Sequence, residues 1–400
     1  ILARNCECTE QLHRIKEIIE KGFDLMYKIM TPGPTQVAEN VRLARSRECT
    51  NPDLDENFVE FYKETCKEIS RLLHTDNETL ILGGEGILGL EAACASMTEP
   101  GDRVLVLDNG IYGKGFADFV SMYGGCPELY SRDYRETLDV QELENFLKEN
   151  HDYKYATVVH GDTPSGMLND VSAICPLLKK YGIMTVVDSV SASFGEPMRI
   201  SDWQIDIMCG GSQKVVSAPP GLTFVVVSDD AQKAIDNRKT PIASFYANLK
   251  VFEGYYEAKW FPYTMPISDI YGLRAAFDNI KADTEMLKRH EVIANACRKA
   301  ITEAGLKLHL ESGFSNTVTV FDVPKETTAG DILKVMREDY NIMLAGSFDE
   351  LAGQVIRIGH MGSNANLDDM KETMDALNET LIKLGVDLKG NIGEIFKANI

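Results

Sequence analysis

Cysteine is present in this chain but carries no pattern. The 400 residues include nine, at Cys6, Cys8, Cys49, Cys66, Cys94, Cys126, Cys175, Cys209 and Cys297. They are scattered and odd in number, which excludes a disulfide framework and reads as reduced thiols in apolar stretches. Cys6-x-Cys8 has no second ligand pair nearby, so no zinc or other metal site is expected. No apolar run approaches the roughly 18 residues of a membrane span. Positive charge is scarce: 41 Lys and Arg face 61 Asp and Glu, a formal charge of −20. That balance argues against general affinity for nucleic acid or membrane surfaces, while leaving room for a local anion site. There is no internal repeat, no low-complexity segment and no recognisable signal peptide, so the cytoplasm is the expected compartment.

Residues 1–25 read as an extension outside the core. Leu12, Ile15, Ile18, Ile19 and Phe23 give them a helical apolar stripe. From Met26 onward, short β-branched runs alternate with helical patterns. Leu80–Leu82, Arg103–Leu107, Ala156–Val159, Met184–Val187, Asp206–Cys209 and Leu222–Val227 read as strands. Their uninterrupted apolar character points to a mostly parallel, doubly covered sheet. A long helical stretch is expected from about Asp269 to Ala304, and shorter strands and helices follow it. The fold class is therefore α/β. A large domain over 26–285 has its sheet between helices, and a smaller α+β domain covers 286–400.

Against this background two residues stand out. Lys214 ends the run Gly210-Gly211-Ser212-Gln213, and Asp188 ends the apolar run Met184–Val187. Alone, neither says much, and a lysine in a Gly/Ser loop is ordinarily a solvated surface charge. Together they are what pyridoxal chemistry requires. The amine condenses with an aldehyde, and the acid keeps a pyridine nitrogen protonated so that the ring acts as an electron sink.

A rival reading rests on Gly84-Glu85-Gly86-Ile87-Leu88-Gly89, which matches G-x-G-x-x-G between a strand and a helix. Asp108 closes the next strand nineteen residues after Gly89. This resembles a dinucleotide fingerprint and would make the protein an NAD-dependent oxidoreductase. Glu85 would then set its charge against the pyrophosphate, and Asp188 and Lys214 would have no role. The plain alternative for Glu85 is a first-turn acid favouring its helix dipole.

Several further runs share an order: Thr31–Thr35, Gly83–Gly86, Asn109–Gly113, His160–Gly166, Val187–Ser191, Gly211–Lys214, Ala218–Leu222 and Arg357–Gly362. Jointly they resemble the class V aminotransferases, fold type I pyridoxal-phosphate enzymes, in the alanine–glyoxylate and serine–pyruvate branch. The resemblance implies that Lys214 carries pyridoxal 5'-phosphate and Asp188 pairs with its ring nitrogen. It implies that Tyr112 stacks on the ring and Thr163 bonds its phenolic oxygen. Gly84, Glu85, Gly86, Val190 and Gln213 would surround the cofactor, with Gln213 and the amides near Gly86 at its 5' substituent. Gly33 and Arg357 would bind substrate, Arg357 by a fork to the α-carboxylate. A surface salt bridge is the plain alternative for Arg357. Tyr263 and Thr264 match a loop that reaches a neighbouring subunit's phosphate, which implies a homodimer. The implied reaction moves an amino group from a small amino acid (alanine or serine) to a 2-oxo acid (glyoxylate or pyruvate).

Two departures qualify this. Position 85 commonly carries a small hydroxyl residue in the family and here is Glu85. In this loop the chain is similar to pyridoxamine–pyruvate aminotransferase, which takes the unphosphorylated vitamin as substrate. That enzyme has a second arginine where this chain has Phe348. Phe261 stands where alanine–glyoxylate enzymes often have tyrosine. Cysteine desulfurase, another class V activity, is set aside: it needs a ring-stacking histidine and a C-terminal cysteine, and this chain has Tyr112 and no cysteine after Cys297.

Overall fold

The computed structural model describes residues 27–400. The expected helix in 1–25, and Cys6 and Cys8, lie outside the described residues. The central sheet has seven strands. They are β1 (Glu78–Gly83), β2 (Arg103–Asp108), β3 (Cys126–Ser131), β4 (Tyr155–Val159), β5 (Met184–Asp188), β6 (Ile207–Gly211) and β7 (Leu222–Val227). Their spatial order is β1-β7-β6-β5-β4-β2-β3. Only β7 runs against its neighbours β1 and β6, so the other strands point one way. Strands such as Val104–Leu107 and Leu222–Val227 are buried along their length, as helices on both faces require.

Two of those helices matter for the site. α1 (Gly86–Met97) follows β1, and α2 (Ile111–Met122) follows β2. The strand order rules out the dinucleotide reading. A dinucleotide unit needs its first two strands side by side and parallel. Here β1 and β2 are separated by four strands of the sheet. Asp108, the expected ribose ligand, is buried and accepts hydrogen bonds from the Ser131 hydroxyl and the Tyr134 hydroxyl, both at 2.8 Å. Gly89 packs α1 onto β7: a Cβ there would come within 2.4 Å of Thr223 Oγ1.

The expected long helix after Pro266 is two. α3 (Ile267–Ala282) ends at Asp283, whose backbone leaves the helical region, and α4 (Met286–Glu303) follows. Asp283 faces the Arg289 guanidinium, with Nη1 on Oδ1 at 3.0 Å. That charge-assisted contact fixes the break. α4 covers a second, smaller core with α5 (Ala329–Tyr340), α6 (Leu367–Lys383) and an antiparallel pair, β8 (Val318–Asp322) and β9 (Val355–Gly359). Met30 belongs to this core, although the expected division placed it with the first. Residues 28–29 run parallel to 342–343, and the Gly359 amide donates to the Met30 carbonyl at 2.7 Å.

Candidate active site

The same-direction strands β1, β2, β4, β5 and β6 all end at one edge of the sheet, and the loops leaving that edge enclose a cavity of about 320 Å³. Ligands gather at this edge in open α/β sheets because loops and helix N-termini present backbone donors there. The cavity wall contains Gly33, Glu85, Gly86, Tyr112, Thr163, Asp188, Val190, Gln213 and Lys214. Nine residues singled out in the sequence therefore converge, from segments as far apart as 33 and 214.

Lys214 sits beyond β6, surrounded by protein except toward the cavity. Its ammonium donates to the Pro32 carbonyl at 2.8 Å. Gly33 is required beside it. Its φ is +100°, and a Cβ would approach Lys214 Cδ to 2.3 Å. Burial lowers the lysine pKa to about 8, and the Arg357 charge adds to the effect, while Asp188, Glu85 and Asp162 oppose it. Asp188 closes β5, nearly inaccessible, with Oδ1 accepting the Val190 amide at 2.9 Å. Burial pushes its carboxyl up to about 7, against the pull of that amide and of Lys214.

Glu85 caps its helix, as its plain alternative expects, and also lines the cavity. Oε1 accepts the Ile87 amide at 3.2 Å and so caps α1, while Oε2 accepts the Gln213 side-chain amide at 2.8 Å. Gly86 lets the α1 N-terminus close on Val190, whose methyls lie 2.9 Å from where a Cβ would stand. Gly84 donates its amide to the Gly221 carbonyl at 2.8 Å and shapes the loop from behind.

Arg357, on β9, stands at the cavity's edge. Nε donates to the Gly346 carbonyl at 2.5 Å and Nη1 reaches the Thr163 carbonyl at 3.4 Å. It forms no ion pair among the described residues, which removes the salt-bridge alternative. A largely buried guanidinium bonded only to carbonyls is a seat for an anion. Tyr263 and Thr264 are not brought to this cavity. Tyr263 stacks on Tyr246 with ring centroids 4.6 Å apart, and the Thr264 hydroxyl is 3.4 Å from Asp53. Phe261 is buried among the rings of Phe58, Tyr62 and Tyr255.

Sequence reasoning did not single out Asp162. It follows β4 as Asp188 ends β5, and burial raises its pKa. Oδ2 accepts the Ser165 hydroxyl at 2.6 Å, whereas Oδ1 is buried without a partner. A second acid just past a buried strand was the available signal.

A family model described as aminotransferase class-V matches residues 33–376. The chain belongs to the class V aminotransferases. It is 33% identical to a pyridoxamine–pyruvate transaminase of Mesorhizobium japonicum, over 84% of this chain and 86% of that one. It is 29% identical to the alanine–glyoxylate aminotransferase of Callithrix jacchus, over 88% and 87%. The crystal structure of ureidoglycine–glyoxylate aminotransferase from Bacillus subtilis superposes with a TM-score of 0.90 at 25% identity, covering 93% of this chain and 97% of that one. The fold is thus the aminotransferase fold, and the protein is an aminotransferase.

The residues of this aminotransferase suit a pyridoxal-type ring. An amine and a buried carboxylate face one enclosed space, and Gln213 Oε1 is left buried without a partner beside it. Without such a ring, Asp188 holds its proton up to about pH 7, against 3.8 for the ordinary side chain. The folded state then binds more protons than the unfolded chain between about pH 4 and about pH 7, so this group costs stability as pH rises through that window. Asp188→Asn should remove that contribution. In urea titrations of the cofactor-free proteins, the variant gains on the wild type as pH rises from 4 to 7. Glu196, also pushed up to about 7 by burial, acts on both proteins alike and cancels. A difference independent of pH would contradict the assignment.

Proposed function

We propose that this aminotransferase uses pyridoxal 5'-phosphate and moves an amino group from a small amino acid, alanine or serine, to glyoxylate or pyruvate. The observation that carries the reading is Lys214 and Asp188 facing one cavity, with the anion-seeking Arg357 at its edge. The names of its relatives, an alanine–glyoxylate and a pyridoxamine–pyruvate enzyme, agree in reaction type. Bound here, the cofactor supplies an aldehyde carbon that takes up the donor nitrogen and a ring that stabilises negative charge at Cα.

The protein's own groups do the rest. Arg357 orients the donor through its α-carboxylate, using the Nη side of the guanidinium because Nε is held by Gly346. Lys214, neutral above about pH 8, takes the Cα proton and returns it at the former aldehyde carbon. Asp188 would hold the ring nitrogen. A cationic partner there offsets the burial that otherwise keeps this carboxyl protonated, and the carboxylate in turn holds the proton on that nitrogen. Tyr112, Val190 and Thr163 line the space the ring would take. The α1 amides and Gln213 would hold the 5' substituent. A 2-oxo acid then reverses the sequence, which gives ping-pong kinetics.

A homodimer is part of this proposal. Tyr263 and Thr264 lie away from their own cavity, and Tyr263 packs with Tyr246 and Phe245, which are 55% and 58% exposed. Exposed aromatic surface of this kind suits an interface. A second copy would cover it and receive the loop carrying Thr264.

One observation favours a second reading, transfer from unphosphorylated pyridoxamine to pyruvate. The Glu85 carboxylate already engages the α1 N-terminus and the Gln213 amide, donors that a phosphate would need.

Two experiments test these readings. With the cofactor bound, alanine should convert the wild-type absorbance to that of the amino form, and pyruvate should restore it. Lys214→Ala should lose this by at least roughly a thousandfold while keeping its unfolding midpoint. Turnover close to wild type would defeat the pyridoxal mechanism. For the second reading, pyridoxal and pyridoxal phosphate are titrated side by side into wild type and Glu85→Ser. If Glu85 rejects phosphate, the variant shifts the preference toward the phosphorylated ligand by roughly tenfold or more, the scale of one neighbouring charge. An unchanged ratio ends the vitamin-substrate reading.

A further inference from the structure

The region outside Arg357 has no role in the reaction as described, yet it is built with care. Phe348 reaches the site through its neighbours. Ala345 and Arg357 form a reciprocal antiparallel bridge, with Arg357 N on Ala345 O at 2.7 Å. The chain beyond Ala345 therefore travels alongside Arg357. Phe348 then lies with its ring centroid 5.9 Å from the Arg357 guanidinium and 6.0 Å from the Tyr112 ring, edge-on at 69°. A tight turn holds it there. Its carbonyl accepts the Leu351 amide at 3.1 Å, Asp349 adopts a φ of +48°, and Glu350 is 3.7 Å from Lys114 on α2. The ring remains 38% exposed.

The charges around this point are few and unequal. Lys214 is the one cation in the cavity wall among the described residues, and Arg357 stands at its edge. In the proposed reaction both are engaged, one as base and the other on the α-carboxylate. The remaining charged groups are the acids Glu85 and Asp188 in the wall and Asp162 beneath it, and at the turn beyond Phe348 the cation Lys114, which faces Glu350. A substrate that bridges Arg357 and Lys214 passes along Tyr112, and Phe348 lies against both Tyr112 and Arg357. A second carboxylate on that substrate would meet an aromatic ring where it needs a cation, with acids on the other side. Removing a carboxylate from water without a partner is strongly unfavourable. An uncharged side chain meets no such cost, and an apolar one gains contact with the ring.

We propose that Phe348 is a specificity-determining residue that restricts this aminotransferase to monocarboxylic donors and acceptors by denying a second carboxylate its counter-charge. The inference rests on the transaminase reading above and adds to it the residue that sets the substrate class. It concerns selection between substrates, so the ratio of their kcat/KM values is the proper readout.

The test uses the protein loaded with pyridoxal phosphate and follows the donor half-reaction by absorbance for L-alanine, L-aspartate and L-glutamate. Wild type should favour alanine over either dicarboxylate by roughly a hundredfold or more in kcat/KM, the scale expected for one unpaired charge. Phe348→Arg should narrow that ratio at least tenfold by raising the dicarboxylate rates. Phe348→Leu, which keeps the site apolar, should preserve the exclusion. Phe348→Lys serves the same purpose if the arginine variant does not fold. Aspartate or glutamate reacting as well as alanine in wild type would overturn the proposal. So would an unchanged ratio in a folded Phe348→Arg or Phe348→Lys protein. The absence of reaction with every amino acid would remove the transaminase reading, and this inference with it.

Discussion

Everything at this site depends on two opposite charges being kept out of water within reach of one small cavity. Asp188 and Lys214 are each displaced from their ordinary ionisation by burial, the acid upward and the amine downward. Each partly restores the other, and neither is satisfied by a direct salt bridge. That unsettled state is useful chemistry: a group near its own pKa can give up or take a proton at little cost. The fold maintains it by geometry. Asp188 is fixed by strand β5 and the Val190 amide, and Lys214 by β6 and the Pro32 carbonyl. The two hydrophobic cores are tied together at this point. Thr35 bonds the Gln213 and Lys214 carbonyls, and the Ser363 amide bonds the Ser217 hydroxyl. The position of Arg357 relative to Lys214 is thus set by hydrogen bonds between the halves and not by a flexible tether.

The acidity of the whole chain sharpens the role of the local cations. A net charge of −20 repels anionic 2-oxo acids at a distance. Screening limits that repulsion to about 8 Å at physiological ionic strength. Inside that range, the proposed carboxylate binding falls to Arg357, a fork whose remaining neighbours are carbonyls and an aromatic ring. In the proposed selection Phe348 and the cavity acids act in the same direction, since neither offers a counter-charge to a second substrate carboxylate.

Lys214 and Asp188 were legible because buried parallel strands announce themselves as apolar runs, and the residues at their ends are the ones exposed to ligands. The same logic left a rival reading open at Gly84-Glu85-Gly86. A glycine-rich strand–helix junction looks alike whatever strand comes next to it, and spatial order is a long-range property that local pattern does not encode. Asp108 fitted the spacing of a ribose ligand, yet Tyr134 and Ser131 close over it from later in the chain. The break at Asp283 was hidden because α3 and α4 share helical periodicity, and only the Arg289 contact marks the boundary. Met30 joins the second core through strand pairing with 342–343, more than 300 residues away in sequence. Strand β3 was missed for a simpler reason: Cys126–Ser131 lies at the sheet edge, half exposed, and lacks the apolar run that identified its neighbours. Asp162 escaped notice because its one unpartnered oxygen, Oδ1, is visible only once the loop after β4 and Gly110 are assembled around it.

The central claim is that Lys214 is the residue that takes the cofactor. It is tested most directly by loading the purified protein with pyridoxal phosphate, reducing it with borohydride, and mapping the covalently attached pyridoxyl group by peptide mass spectrometry. The account predicts loss of the long-wavelength absorbance on reduction and one labelled peptide, modified at Lys214. Labelling at a different lysine, or no retained label, would contradict it.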